Sequence, residues 1–322
     1  MTPTRGALIA VLVAIAVLVV PAGDVAPAAA HVRPALRYVT FNLLHGGIFS
    51  ELIGDDEALE ERFRLAVEEL RALDPDVVGL QEASTGRTRG HVAARLAEAL
   101  GYRYVYAPAA TRPFGSERVR RVVASALGFT EGPAILSRFP ILDWAAYELP
   151  RCGRPFDVRV LLFAELLTPV GRVPSFSAHT SGDPCQTRAV VDIVRFHSGP
   201  LPAVVMGDFN AVEGSPAIRA VTQHAGFLDA FRLANPSAPG FTAGQEPSVP
   251  AATAARRIDY VFLVPGRKAP GRVVSSRVVL DQPRLGGRVR WPSDHYGVLA
   301  EIAIVTATTS VVTEPGRGSR AG

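Results

Sequence analysis

The stretch Ala203-Val204-Val205-Met206-Gly207-Asp208-Phe209-Asn210 carries an apolar run directly into a group of polar side chains. The apolar run predicts a buried strand, and the end of that strand delivers Asp208 and Asn210. Far along the chain, Ser293-Asp294-His295 comes just before a second apolar run, Gly297 to Ile304. Because side chains at strand ends can converge on one pocket, we expect carboxylate, carboxamide and imidazole groups to meet there.

Three further segments share this arrangement, with a polar residue at the end of an apolar run: Thr40-Phe41-Asn42, Leu80-Gln81-Glu82 and Arg257-Ile258-Asp259-Tyr260. A single Asp or Asn at a strand end is usually a turn or cap residue. The whole set instead suits a divalent-metal phosphodiesterase, in which water attacks phosphorus and the protein mainly neutralises charge.

The apolar periodicity of the rest of the chain predicts more strands than helices. Predicted strands cover 36–42, 77–81, 102–106, 134–136, 141–149, 158–168, 172–178, 203–206, 258–264, 273–280 and 297–304. Predicted helices cover 56–73, 91–100, 184–197 and 216–225, and the segments 108–132 and 235–255 are predicted loops. Because the helices fall into two separated groups, we expect two sheets packed face to face with helices outside, in one domain.

The first thirty residues predict a signal peptide rather than part of the fold. Arg5 supplies a positive start, Gly6 to Val20 is uncharged and apolar, and Ala28-Ala29-Ala30 resembles a cleavage site. A helix of about 15 residues would span about 22 Å, short of the roughly 30 Å hydrocarbon core. Export is therefore expected, with an uncleaved membrane anchor as the alternative. The domain is expected to cover 31–306, followed by a small, polar, disordered tail over 307–322.

Composition adds two weaker indications. The formal net charge is +4, and nearly all the basic residues are Arg, since Lys268 is the only lysine. Arginine suits phosphate recognition, but this charge is ordinary for a soluble protein and does not by itself indicate nucleic-acid binding. The two cysteines, Cys152 and Cys185, form an even pair, which in an oxidising compartment predicts a disulfide. Two free buried thiols are the alternative.

The ordered polar positions resemble the motifs of the endonuclease/exonuclease/phosphatase superfamily, which includes pancreatic-type deoxyribonucleases, apurinic endonucleases, inositol polyphosphate 5-phosphatases and neutral sphingomyelinases. The resemblance rests on Asn42, Glu82, Asp208, Asn210, Asp259, Asp294 and His295, and on the connecting segment from Ala134 to Ile141. It runs from about Leu36 to Ile304 and implies an α/β (α+β) fold, a four-layer α/β/β/α sandwich of two mixed sheets.

The resemblance also implies a metal site. Glu82 would hold Mg²⁺, with Mn²⁺ as a possible substitute, and water would fill most other positions. Asn42 would help to position the metal or its water shell, and Asp294 would complete the metal side.

The remaining matched residues are implied to act on water and phosphate. Asp259 would orient His295, which would accept a proton from the attacking water. Asp208 and Asn210 would orient that water and the phosphate. A second histidine, His179, is implied to donate a hydrogen bond to the phosphate, and Arg159 is a further candidate phosphate ligand.

The sequence leaves the substrate open between nucleic acid and a phospholipid head group. The placement of Cys152 and Cys185 around the strands that carry Arg159 and His179 is similar to that in secreted bacterial sphingomyelinases, whereas the arginine-rich segment 265–292 would suit a polyanion. The alternatives are a sphingomyelinase-like phospholipase C, a sugar or inositol phosphatase, and an exported binding protein without turnover. We expect a monomer with no stable protein partner.

Overall fold

The computed structural model describes residues 35–44, 58–86, 90–109, 129–154, 157–284, 286–287 and 289–304. The predicted signal peptide, the tail beyond 306 and most of the arginine-containing loop 108–132 lie outside these ranges, so the predictions for them stay predictions. Within the described ranges, none of the helices combines the length and apolar character needed to cross a bilayer.

Seven strands form sheet 1. They are β1 (Leu36–Asn42), β2 (Val77–Gly86), β3 (Gly90–His91), β4 (Arg103–Tyr106), β5 (Phe129–Ser137), β12 (Arg272–Val279) and β13 (Gly297–Ala303). Their order is β12-β13-β1-β2-β5-β4, and β3 pairs with the end of β2. Only β1 and β2 run parallel among these neighbours, and the chain joins them through helix α1 (Leu59–Leu73). A parallel pair needs such a crossover, which places α1 on the outer face of the sheet.

Six strands form sheet 2. They are β6 (Ile141–Glu148), β7 (Val160–Thr168), β8 (Gly171–His179), β9 (Ala203–Asp208), β10 (Leu228–Asp229) and β11 (Asp259–Val264). Their order is β10-β11-β9-β8-β7-β6. Here β8 and β9 are the parallel pair, and helix α3 (Pro184–His197) joins them. Asp183 caps α3 by accepting a hydrogen bond from the backbone N–H of Cys185, 2.8 Å away.

Three apolar layers hold these elements together. The central layer lies between the sheets and includes Tyr38, Ile135 and Met206. A second layer packs sheet 1 against α1 and α2 (Val92–Leu100), and a third packs sheet 2 against α3. The order helix–sheet–sheet–helix confirms the predicted four-layer sandwich of two mixed sheets.

The structure corrects the sequence prediction at several boundaries. The α-helix predicted over 216–225 is α-helical only as α4 (Pro216–Arg219) and then widens into a π-helical turn, Ala220–His224. In this segment the Thr222 hydroxyl donates to the carbonyl of Ile218 at 2.9 Å, a local bond that competes with regular helix geometry. The prediction also missed β10 and helix α5 (Ala230–Ala234), which are too short to produce a periodic pattern. Strand β5 begins at Phe129, within the predicted loop.

The predicted disulfide is present between Cys152 and Cys185, whose Cα atoms are 6.1 Å apart. It ties the segment before β7 to the first turn of α3. Gln186 strengthens the same connection, because its side-chain amide donates to the carbonyl of Pro150 at 3.0 Å. The segment that leads to Arg159 is thereby fastened to the turn that follows His179.

Candidate active site

The predicted site residues meet at one edge of the sandwich, where strands of both sheets end. Asn42 is the last residue of β1, His179 the last of β8 and Asp208 the last of β9, while Asp259 is the first of β11. The parallel pairs β1–β2 and β8–β9 explain this convergence, because the carboxyl ends of parallel strands lie at the same edge of a sheet. Asp294 and His295 lie just before β13 begins.

Asp259 and His295 form a buried carboxylate–imidazole pair. Nδ1 of His295 and Oδ2 of Asp259 are 2.9 Å apart, and Asp259 is 1% exposed. Burial lowers the pKa of His295, but the charge of Asp259, the hydrogen bond to it and the charge of Asp208 outweigh burial and raise that pKa to about 10. The bond through Nδ1 leaves Nε2 facing Asp208, whose Oδ2 is 4.0 Å away. The ring is thus fixed in one orientation, with one nitrogen directed into the site.

Asp208 lies at the centre of the cluster. Its Oδ1 accepts a hydrogen bond from the backbone N–H of Asn210 at 2.8 Å, and its Oδ2 accepts one from the Asn42 amide at 3.1 Å. Burial is the main cause that raises the pKa of Asp208 to about 7, and the charge of Asp259 adds to it, against the opposing effect of His295. A buried carboxylate beside another carboxylate is costly, so the cluster favours a compensating cation.

His179 lies on the other side of Asp208. Its Nε2 is 2.7 Å from Nη1 of Arg159, 3.2 Å from the amide nitrogen of Asn210 and 3.6 Å from Oδ2 of Asp208. Arg159 is itself oriented by Asp157, which accepts from Nε at 2.7 Å. Because the N–H groups of Arg159 and Asn210 point at Nε2, this nitrogen acts as an acceptor here. The predicted role of His179 as a donor to phosphate therefore requires a change of hydrogen bonding when an anion enters.

Glu82 projects from an irregularity in sheet 1. The pairing of β2 with β5 shifts between Leu80 and Ala83, and Glu82 has φ 54°. Asn210 also lies in the left-handed region, at φ 48°. Asn tolerates this conformation, whereas Glu seldom adopts it, so the backbone at Glu82 is held in this region by its surroundings.

The candidate metal ligands supply hard oxygen atoms. The Asn42 amide donates to Oε1 of Glu82 at 3.2 Å, so Asn42 bridges Glu82 and Asp208. The pKa of Asp294 is raised, first by burial and also by the charge of Glu82, so these two carboxylates are electrostatic neighbours. Carboxylate oxygens such as these are the ligands that Mg²⁺ prefers. The oxygen of Asn42 accepts from the N–H of Leu44 at 3.0 Å, and its amide N–H groups hold the carboxylates of Glu82 and Asp208.

A second group could also hold a cation, since ligand atoms of Asp208, Asp259 and His295 all lie within 4.8 Å of one another. Nδ1 of His295 is already engaged with Asp259, and Mg²⁺ prefers oxygen ligands. The chemistry of the donors therefore makes Glu82 and Asp294 a better fit for Mg²⁺ than this group.

Several residues that build the site belong to none of the sequence motifs. Arg62 of α1 is 1% exposed and donates to the carbonyls of Leu43 and Leu44, at 2.9 Å each, which fixes the chain just after Asn42. A charged residue on the apolar face of a predicted helix is the signal that indicates such a role. Glu131 of β5 is another case, because burial first and the charge of Glu82 second raise its pKa to about 7.

Thr242 belongs to the predicted loop 235–255, and its hydroxyl accepts from the backbone N–H groups of Ile258 and Asp259 at 3.2 Å each. This loop is therefore part of the support for Asp259. Trp291 is 1% exposed, and its indole N–H donates to the carbonyl of Val249 in the same loop.

Comparisons with known proteins agree with the geometry. Residues 39–295 match the sequence model of the Endonuclease/Exonuclease/phosphatase family. A comparison with curated protein sequences found no relative of significant similarity. Among solved structures, an endonuclease/exonuclease/phosphatase from Beutenbergia cavernae is 25% identical, with a TM-score of 0.58 over 84% of this chain and 72% of that chain.

Two further structures show the same fold at lower identity. A mannosyl-6-phosphatase from Bacteroides thetaiotaomicron is 20% identical, with a TM-score of 0.60 over 83% of this chain and 99% of that one. The human Nocturnin catalytic domain, with a bound sulfate anion, is 19% identical, with a TM-score of 0.60 over 84% of this chain and 94% of that one. Because the sequence match spans nearly the whole sandwich, the chain belongs to the endonuclease/exonuclease/phosphatase family.

Proposed function

We propose that the protein is an exported phosphodiesterase that requires a divalent cation, Mg²⁺ or in its place Mn²⁺, and cleaves nucleic acid or a phospholipid head group. The family and its nuclease and phosphatase relatives support hydrolysis of phosphate esters. The apolar N-terminal segment and the disulfide support export.

The observation that carries the proposal is the convergence on Asp208. Its Oδ2 accepts from Asn42 at 3.1 Å, lies 3.6 Å from Nε2 of His179 and lies 4.0 Å from Nε2 of His295. A water molecule or a phosphate oxygen that binds beside Asp208 would therefore lie close to the metal side and to both histidines at once.

The residues divide the chemistry between them. In its neutral form, His295 accepts the proton of the attacking water at Nε2, and Asp259 keeps the other ring nitrogen protonated and stabilises the imidazolium that forms. Because the neighbouring carboxylates raise the pKa of His295 to about 10, this neutral form is favoured by alkaline pH and by the positive charge of a cation bound nearby. Asp208 and Asn210 orient that water. Arg159 and His179 contact the phosphate oxygens as negative charge builds. A cation held by Glu82 and Asp294, with the amide of Asn42 orienting the Glu82 carboxylate, would supply charge neutralisation on the phosphate and the leaving oxygen.

Loss of the metal tests the proposal. Hydrolysis of bis-p-nitrophenyl phosphate by the mature protein is expected to stop in EDTA and to return with added Mg²⁺ or Mn²⁺. Glu82→Ala and His295→Ala should each abolish it, whereas His224→Ala, on an exposed histidine remote from the motifs, should not. Hydrolysis that continues in EDTA would contradict the metal requirement. An inactive wild type that still binds phosphate would favour the exported binding protein.

A substrate panel distinguishes the remaining classes: plasmid DNA, RNA, sphingomyelin, phosphatidylcholine, and inositol and sugar phosphates. The likeness of the fold to a mannosyl-6-phosphatase supports a sugar phosphatase as the second candidate. Exclusive release of inorganic phosphate from monoesters would replace the phosphodiesterase proposal with that one. We also propose that the protein acts as a monomer, which light scattering of the purified protein tests.

A further inference from the structure

The two sheets contribute different parts of the active site. The candidate metal residues Asn42 and Glu82 belong to sheet 1, and Asp294 leads into its strand β13. The residues for phosphate and water, His179 and Asp208, belong to sheet 2. The distance between metal and phosphate groups is therefore set by how one sheet lies on the other.

A buried polar link joins the sheets directly beneath this site. The side-chain amide of Gln81 on sheet 1 donates to the hydroxyl of Ser177 on sheet 2 at 3.2 Å. The Ser177 hydroxyl donates in turn to the backbone carbonyl of Leu80 at 2.9 Å. Thr40 donates to the amide oxygen of Gln81 at 3.3 Å. The three side chains are fully buried. We call the contacts between Gln81, Ser177 and Leu80 the inter-sheet link.

The inter-sheet link is close in sequence to both parts of the site. Gln81 precedes Glu82 and pairs with Asn42 across β1 and β2. Ser177 lies two residues before His179, which pairs with Asp208 across β8 and β9. The link residues are fully buried, so their effect on the site must pass through their neighbours.

Close packing makes the position of the link specific. A Cβ atom on Gly79 would lie 2.7 Å from Cβ of Met206, so the backbone of sheet 1 approaches sheet 2 more closely than any side chain at 79 allows. Apolar contact alone is not directional, whereas a buried hydrogen bond is satisfied in only one register. The link therefore selects one sliding position of the two sheets.

We propose that Gln81 and Ser177 are positioning residues that hold the metal side of sheet 1 at the working distance from the phosphate side of sheet 2. This inference rests on the proposed function, because it assumes that metal and phosphate bind together. Its consequence is energetic coupling: Mg²⁺ strengthens phosphate binding only while the link keeps the two sides in place.

Calorimetric titration of the mature protein measures this coupling without turnover. Inorganic phosphate is titrated with and without Mg²⁺, and Mg²⁺ is titrated alone. The variants are Ser177→Ala and Gln81→Met, singly and together. Ser175→Ala is the matched control: Ser175 is equally buried on the same face of β8, and its hydroxyl lies near that of Tyr38 but makes no hydrogen bond of ordinary geometry with a described residue.

In the wild type, Mg²⁺ is expected to tighten phosphate binding by about 5- to 150-fold, the usual range of such coupling. Each single variant should reduce this factor to about twofold and leave the affinity for Mg²⁺ alone within about twofold. The double variant should show the same reduced factor as each single variant, because both substitutions break one link. Ser175→Ala should keep the wild-type factor.

Each contrary result has a distinct meaning. If the wild type shows no coupling, the proposed metal-dependent function fails. If the wild type shows coupling and the folded variants retain it, the inter-sheet link does not position the site. If Ser175→Ala reduces the coupling factor as much as the link variants do, or if the two reductions multiply in the double variant, the cause is general packing damage. Either result would also overturn the proposal. Melting curves confirm that each variant is folded at the titration temperature.

Discussion

Replacement of Asp259 by Asn tests the proton-transfer side of the site, because it keeps the shape of the side chain and removes its charge. Oδ2 of Asp259 is 2.9 Å from Nδ1 of His295 inside a buried cluster. A hydrogen bond to a charged group contributes about 1.5–3 kcal/mol, which corresponds to about 10- to 150-fold in rate. The amide can also donate to Nδ1, which would place the proton on Nε2 and prevent that nitrogen from accepting another.

We therefore expect Asp259→Asn to lower kcat by roughly 10- to 10⁴-fold, the upper value being that of a triad aspartate changed to asparagine. The pH profile of kcat should also shift in a defined direction. The charge of Asp259 raises the pKa of His295, so its removal lowers that pKa and moves the acidic limb of kcat to lower pH. The assay is steady-state hydrolysis of bis-p-nitrophenyl phosphate from pH 5 to 10.

Asp192→Asn, on the exposed face of α3, is the control and should leave both kcat and the acidic limb unchanged. If Asp259→Asn retains kcat within about threefold and the limb does not move, Asp259 and His295 do not act in the reaction. If Asp259→Asn lowers kcat but the acidic limb of the pH profile stays in place, Asp259 has a structural role only.

Three other features of the structure give further predictions: Glu82, Glu213 and the disulfide. Glu82→Gln is expected to weaken Mg²⁺ binding at least 100-fold in calorimetry, whereas Glu98→Gln, on an exposed helix face, should leave it unchanged; equal affinities would place the metal elsewhere. Hydrogen bonds from arginine hold the pKa of Glu213 at about 2, below its ordinary 4.5, so its stabilising effect is present above pH 4.5 and is lost as pH falls toward 2. Glu213→Gln should therefore lower Tm by roughly 1–3 °C at pH 7 and by less at pH 2.5, and an equal effect at both would contradict this. Reduction of Cys152–Cys185, with a separation of 33 residues, should cost about 4 kcal/mol in the chain-entropy model and roughly 8–15 °C in Tm; an unchanged Tm would show that the bridge adds no stability.

The strand-end motifs were predictable because their signals are local. A carboxylate next to an apolar run marks both a strand and the edge of the sheet at which the strand begins or ends. For this reason the sequence located Asp208 at the end of β9 and Asp259 at the start of β11. Two cysteines likewise allow a single bridge, and the structure shows that bridge in place of the alternative of two free thiols.

Other features depend on contacts that no local pattern encodes. The hydroxyl of Thr242 supports Asp259 from a loop that lacks periodicity, and the guanidinium of Arg62 holds carbonyls near Asn42 from a helix. The π-helical turn after Arg219 arises within a sequence that fits an ordinary helix. Only tertiary packing decides between such alternatives.

The division of labour between the sheets also could not be predicted from the sequence. Motif order places Asn42 and Glu82 early in the chain and His179 and Asp208 later, but it does not show that each pair occupies its own sheet. That arrangement follows from the two parallel pairs, β1–β2 and β8–β9, which bring their carboxyl ends to the same edge from opposite sheets.

A crystal structure of the mature protein with Mn²⁺, measured at the manganese absorption edge, tests the assignment of the metal side most directly. We expect an anomalous peak about 2.0–2.3 Å from a carboxylate oxygen of Glu82 and near Asp294, with His295 still bonded to Asp259. A peak ligated instead by Asp208, Asp259 and His295, with no ion at Glu82, would contradict the assignment of metal and proton transfer to separate groups.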